Sequence, residues 1–112
     1  MCSASCELSL NTIYTEVYIQ LMYDLTGFQR DLLYTISGVD EPYGLAIKES
    51  LQTYRAEDVN HGRLYPNLDT LVEKGYVKKS QKDRRTNLYT LTETARERID
   101  ERREWEDGQL AR

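Results

Sequence analysis

The sequence has few of the residues that build metal centres and no stretch suited to a bilayer. It contains one histidine, His61, and two cysteines, Cys2 and Cys6, which lie near the N-terminus. These three residues do not complete a four-ligand zinc site, and we expect neither a metal nor another cofactor. No run of about eighteen apolar residues occurs, so we expect no membrane-spanning helix.

Signals for secretion and for catalysis are also missing. The N-terminus lacks a basic stretch followed by an apolar core and a small-residue cleavage site, so the expected location is the cytoplasm. There is no glycine-rich phosphate loop and no nucleophile motif, and paired carboxylates occur only in charge-dense helical segments. The sequence therefore predicts a protein that is not an enzyme.

Charge is distributed unevenly along the chain of 112 residues. The net charge is −4, yet residues 60–87 contain seven basic and three acidic residues, a local charge of +4. The other residues include eight basic and sixteen acidic side chains, a charge of −8. Because a phosphate backbone responds to the local positive field, this pattern is compatible with binding to double-stranded DNA.

The first part of the sequence predicts a helix outside the main domain. Between residues 7 and 25, apolar residues recur at helical spacing, and these are Leu10, Ile13, Val17, Leu21 and Leu25. The β-branched and aromatic residues of the same stretch leave a strand as the alternative. We interpret residues 1–22 as an N-terminal extension, 23–107 as one domain and 108–112 as a tail.

The main domain is predicted to contain helices and one hairpin. In chain order, the elements are helices over 27–38, 44–55 and 60–74, hairpin strands over 76–81 and 86–91, and a helix over 93–107. Thr26, Asn60 and Thr92 are the expected N-caps, and Thr26 forms a capping box with Gln29. A very short strand is expected around Tyr43. This order predicts a mainly α protein with a small β-hairpin wing, a winged helix-turn-helix.

The helix over 60–74 is the expected recognition helix. Its first turns carry polar residues that can hydrogen-bond to base edges or phosphates, namely Asn60, His61, Arg63, Tyr65 and Asn67. Its apolar residues fall on the other face. An ordinary amphipathic surface helix is the alternative interpretation.

The turn of the hairpin is the second candidate for DNA contact. Lys82, Arg84 and Arg85 lie there, and arginine at a protruding turn suits the minor groove or the flanking phosphates. Lys48, in the second helix of the domain, and Asn87, after the turn, complete the expected DNA-binding set.

Dimerisation is expected to use the terminal helices. The last helix is densely charged and has a sparse apolar stripe of Ala95, Ile99 and Trp105, which leaves little core of its own subunit to cover. Packing of this stripe against Leu21 and Leu25 of a second subunit would bury both. Two-fold symmetry also suits a protein that reads palindromic half-sites.

Several segments resemble the PadR-like transcriptional regulators. They are residues 31–33, 43–47, 62–68, 71–77 and 89–92, of which the pattern LYPNL…L…KGYV…YTLT is the specific part and is similar to haloarchaeal members. The resemblance covers about residues 23–105. It implies a winged-helix homodimer that usually represses transcription, joined mainly through its C-terminal helical region.

The same resemblance implies a role for two segments. The helix over 60–74 would enter the major groove, and the wing at residues 81–87 would contact the backbone or the minor groove. The chain after Thr92 is too short for a large effector-binding domain, so the effector ligand stays unknown.

Two other functions remain open at this point. A winged helix can use the same surface to bind a partner protein, which makes a protein–protein interaction module the main alternative. Cys2 and Cys6 are interpreted as exposed thiols in a frayed end, with thiol-based sensing as a weaker alternative.

Overall fold

The computed structural model describes residues 24–111. The described chain forms helices α1 (Gly27–Gly38), α2 (Gly44–Arg55), α3 (His61–Glu73) and α4 (Glu93–Leu110), with strands β1 (Val77–Gln81) and β2 (Asn87–Leu91) between α3 and α4. This order confirms the predicted one from α1 onwards, although α4 extends beyond residue 107. Most of the expected N-terminal helix, with Leu21, Cys2 and Cys6, lies outside the described residues.

The three expected N-caps are confirmed. The hydroxyl of Thr26 accepts a hydrogen bond from the backbone N–H of Gln29 at 3.1 Å, and the Gln29 side chain accepts one from the Thr26 N–H at 3.0 Å. Asn60 accepts from the backbone N–H of Arg63 at 2.8 Å, which starts α3. Thr92 starts α4 in the same way through Ala95. Each cap satisfies a backbone donor that the first helical turn leaves free.

The hairpin is antiparallel, with Lys79 paired to Tyr89 and Gln81 to Asn87. Tyr43 forms an isolated β-bridge with Leu88, so the short strand expected there is confirmed. The backbone N–H of Tyr89 also donates to the carbonyl of Pro42 at 2.9 Å. The loop between α1 and α2 therefore pairs with β2 at Leu88 and Tyr89, on the side toward the turn of the hairpin.

The core lies between α1, α2 and α3 and is closed by the hairpin and the start of α4. Its buried residues include Leu32, Leu33, Ile36, Ile47, Leu51, Leu64, Leu68, Leu71, Tyr76 and Tyr89. In the part of the chain that the structure describes, no helix is long and apolar enough to cross a membrane.

Three of the residues expected at the dimer interface belong to the core of their own subunit. Leu25, Ala95 and Ile99 are 3%, 0% and 9% exposed. The expectation that the α4 stripe has little core to cover is therefore wrong, because its first half closes the core over the other elements. Trp105, at 55% exposed, is the described member of the set that keeps a large free surface.

Candidate nucleic-acid interface

The first turn of α3 presents exposed polar groups. Asn60, His61, Gly62 and Arg63 are all exposed, and the carboxamide oxygen of Asn60 is used by the cap. The His61 ring stacks on that of Tyr65, with centroids 5.6 Å apart and planes inclined by 12°. The start of α3 thus offers imidazole and guanidinium groups to a partner outside the domain.

Tyr65 is directed into the domain rather than outward. Its side chain is half-buried and packs against the core. A Cβ at Gly44 would overlap the Tyr65 hydroxyl, so a glycine at the start of α2 makes room for it. The placement differs from that expected, because the hydroxyl faces Gly44 at the start of α2. The Tyr65 ring also stacks on His61.

Asn67 holds α3 against α1. Its side-chain oxygen accepts a hydrogen bond from Gln29 Nε2 at 2.9 Å, and its Nδ2 donates to the carbonyl of Arg63 at 2.7 Å. The amide expected to read a base is therefore engaged within the domain. A role in holding the helix fits these two bonds better than direct readout.

The tip of the wing carries two arginines, Arg84 and Arg85, on an ordered turn. Both are exposed, and neither forms an ion pair with any residue between 24 and 111. Asp83 Oδ1 accepts from the backbone N–H groups of Arg85 and Thr86, each at 2.9 Å. The bond from Arg85 lowers the pKa of Asp83. The Asp83 carboxylate thus fixes the turn, and both guanidinium groups remain available.

Lys82 differs from the two arginines. Its ammonium group lies 2.7 and 2.8 Å from the two carboxylate oxygens of Glu41, in the loop between α1 and α2. These hydrogen bonds raise the pKa of Lys82. The expected phosphate contact is therefore committed to a link between the wing and the body of the domain.

The remaining predicted residues line the edges of this surface. Lys48, on α2, and Asn87, at the start of β2, are half-buried. Lys79, which the prediction did not include, pairs with Tyr89 across the hairpin, and its ammonium lies 6.0 Å above that ring. Because paired residues share a face, Lys79 lies on the face of the wing that packs on the helices.

The charged groups of α4 are arranged differently. Arg98 is buried and paired with Glu97 at 3.2 Å and Glu101 at 2.6 Å, and Arg102 is paired with Glu106 at 3.3 Å. These arginines are neutralised on their own helix. Arg98 and Arg102 thus have carboxylate partners on α4, whereas Arg63, Arg84 and Arg85 form no ion pair with residues 24–111.

Comparison with known proteins gives consistent results. A family model described as the transcriptional regulator PadR-like family matches residues 32–101. Among curated proteins, none matches the chain. The solved structures that match include RosR of H. salinarum grown from NaBr, with 48% identity, coverage of 79% of each chain and a TM-score of 0.74.

Two further structures extend the comparison. A complex structure of hsRosR-S1 has 48% identity over 79% of this chain and 78% of that one, with a TM-score of 0.75. F93 from STIV, a winged-helix DNA-binding protein, has 13% identity over 78% of this chain and 96% of that one, with a TM-score of 0.61. The latter likeness is one of fold.

Proposed function

The chain belongs to the PadR-like family of transcriptional regulators, and from this premise we propose that it represses transcription as a homodimer bound to specific DNA sequences. Membership makes it a DNA-binding regulator and not an enzyme. What we propose beyond family membership is that the protein prefers specific DNA sequences, represses transcription, forms a homodimer and acts in the cytoplasm.

The observation that carries the proposal is that three arginines at two places on one domain, the start of α3 and the wing tip, form no ion pair with residues 24–111. Arg63 at the start of α3 and Arg84 and Arg85 at the wing tip have no carboxylate partner among residues 24–111. A helix start that enters a major groove, beside a cationic turn that reaches backbone or minor groove, is how winged helices dock on duplex DNA.

The test is selection of bound duplexes from a randomised library, followed by titration of the selected sequence by fluorescence anisotropy. We expect one enriched motif and an affinity that falls linearly with the logarithm of the salt concentration. Binding of the selected and scrambled duplexes with equal affinity would contradict sequence-specific recognition.

Homodimerisation is proposed to use the outer half of α4. Trp105 and Leu110 are 55% and 78% exposed, and the Arg102 guanidinium lies 4.9 Å from the Trp105 ring. We expect the protein to sediment as a dimer, and Trp105→Ala to shift it toward monomer. The exposed Tyr54→Ala serves as the control, and a parent protein that is monomeric at working concentrations would contradict this part.

Repression is tested separately by transcription in vitro from a promoter that carries the selected motif. We expect the protein to lower transcript yield in proportion to occupancy of the motif. An increase in yield at full occupancy would identify an activator.

A further inference from the structure

Two arginines lie against one aromatic ring but have different partners. Phe28, in the first turn of α1, is buried, and the guanidinium carbons of Arg63 and Arg55 lie 4.0 and 5.4 Å from its centroid. Arg55 is paired with Asp31 at 3.1 Å and with Glu57 at 2.8 Å.

Arg63 has no such partner. It forms no ion pair with any residue between 24 and 111, and its side chain is exposed. Asp31 and Glu57 both pair with Arg55. An aromatic face thus supports a guanidinium whose N–H donors have no acidic acceptor.

Building on the proposed function, we propose that Arg63 is a specificity-determining residue that donates two parallel hydrogen bonds to O6 and N7 of a guanine in the major groove. Phe28 is its positioning residue. The structure places Arg63 on the exposed first turn of α3, next to Gly62, which has no side chain.

The stack explains why this arginine suits base readout. A guanidinium that lies over an aromatic ring uses its face for the contact and leaves its edge, which carries the donors, free. The ring also restricts the rotamers of a long side chain, so less conformational entropy is lost on binding. Arginine paired bidentately to guanine is the commonest specific contact in major grooves.

The helix beneath Arg63 is also fixed. The Arg63 carbonyl accepts from Asn67, whose own oxygen accepts from Gln29 next to Phe28. The backbone that carries the guanidinium and the ring that supports it therefore belong to one bonded unit. In contrast, Arg84 and Arg85 have no aromatic support within the described residues, which suits contacts to phosphates.

The test uses the motif selected by the parent protein. Each guanine of that motif is replaced in turn by 7-deazaguanine, which lacks the N7 acceptor. We expect one guanine per half-site at which this change weakens the parent by about tenfold. Arg63→Lys keeps the charge but not the planar pair of donors. We therefore expect this variant to bind the duplex with 7-deazaguanine at that position as tightly as it binds the unmodified duplex.

Two variants separate readout from charge and from folding. Phe28→Leu keeps Arg63 but removes the ring, and we expect it to lose most of the parent's preference for guanine over 7-deazaguanine. Its thermal unfolding is recorded in parallel as a test of folding. If Phe28→Leu does not fold, Arg63→Lys decides the question. Arg96→Lys, the matched control at an exposed arginine of α4, should keep the full guanine preference.

The outcomes distinguish this inference from the proposed function. No enriched motif would contradict the proposed function itself. If a motif is enriched but its guanine preferences are the same for the parent and for Arg63→Lys, the inference is overturned and the proposed function is not. The same holds if the motif contains no guanine whose recognition changes in Arg63→Lys.

Discussion

The two ends of the hairpin differ from one another in burial and in charge. At the base, Tyr76, Val77 and Tyr89 are buried in the core. At the tip, Arg84 and Arg85 are exposed and form no ion pair with residues 24–111. About five strand residues separate an apolar anchor from a cationic contact surface.

This difference teaches that stability and binding are assigned to separate positions of one element. Burial of aromatic surface stabilises the base, whereas unpaired like charges at the tip contribute little to folding. Substitutions at the base should therefore change the free energy of unfolding, and those at the tip the affinity for DNA. Five experiments test this division.

The largest effect is expected from Tyr89→Ala at the base. Removal of a buried ring should lower the free energy of unfolding by about 4 kcal/mol, because a cavity remains in the core. Urea denaturation followed by circular dichroism measures it. Thr90→Ala, the exposed neighbour on the other face of β2, should change stability by less than about 0.5 kcal/mol. Equal effects of the two variants would show that the base does not anchor the hairpin.

The tip is tested by the double variant Arg84→Ala/Arg85→Ala. Loss of two charge-assisted contacts should weaken DNA binding by about a hundredfold at low salt and reduce the salt slope by about two. The melting temperature should stay within the error of the parent. Arg96→Ala, an exposed arginine on α4, serves as the control and should bind as the parent does. Unchanged affinity of the double variant would argue against a DNA contact at the wing.

A third prediction concerns the hydroxyl of Tyr76. This group is buried without a hydrogen-bond partner among residues 24–111, and burial raises the pKa of Tyr76 to about 12. Tyr76→Phe should raise the free energy of unfolding at neutral pH by about 1 kcal/mol, because an unsatisfied polar group is removed. Tyr54→Phe, at an exposed ring, should leave stability unchanged. Destabilisation by Tyr76→Phe would show that the hydroxyl contributes to the fold.

The raised pKa of Tyr76 also gives a pH dependence with a definite sign. The unfolded tyrosine loses its proton near pH 10 and the folded one near 12, so alkali favours unfolding within that window. The contribution of this group is complete below pH 10 and disappears as the pH rises through 12. Denaturation at pH 9, 10, 11 and 12 should show a steeper loss for the parent than for Tyr76→Phe.

The smallest effect is expected at Asp83, whose carboxylate fixes the tip. Asp83→Ala removes both acceptor bonds to the backbone of Arg85 and Thr86, while Asp83→Asn keeps an acceptor and removes the charge. Asp83→Asn should bind DNA about threefold more tightly than Asp83→Ala, because its turn stays fixed. Equal affinities would mean that the order of the tip is irrelevant to binding.

The elements that the sequence predicted correctly are those set by neighbours in the chain. The N-caps at Thr26, Asn60 and Thr92 depend on residues three positions away, and the hairpin on alternation within a dozen residues. These features depend on residues close together in the chain, and a sequence pattern therefore predicts them.

The directions of the site residues depend on partners far along the chain. Asn67 is engaged by Gln29, 38 positions away, and Lys82 by Glu41, 41 positions away. Tyr65 turns inward because Gly44 leaves space for it. An amphipathic pattern shows that these side chains are polar but not which acceptor or cavity they meet.

Two further features were not visible in the pattern. In the sequence, Ala95 and Ile99 form a sparse apolar stripe on a charged helix, which suggests that they contact no core of their own subunit. In the structure they are buried and close the core. The stack of Arg63 on Phe28 joins two helices whose crossing the sequence does not give. A sequence pattern can indicate a contact between a basic and an aromatic residue that lie within four positions of each other on one helix. Arg63 and Phe28 are too far apart in the chain for such a pattern.

The anchoring of the wing to the α1–α2 loop has a consequence for the rate at which DNA is captured. The bridge from Tyr43 to Leu88 and the bond from Tyr89 to Pro42 bind the hairpin to the rigid body of the domain. An arm that is already ordered needs no folding step after encounter, so association should proceed at the speed set by diffusion and electrostatic steering. Differences in affinity among duplexes should then arise in the lifetime of the complex.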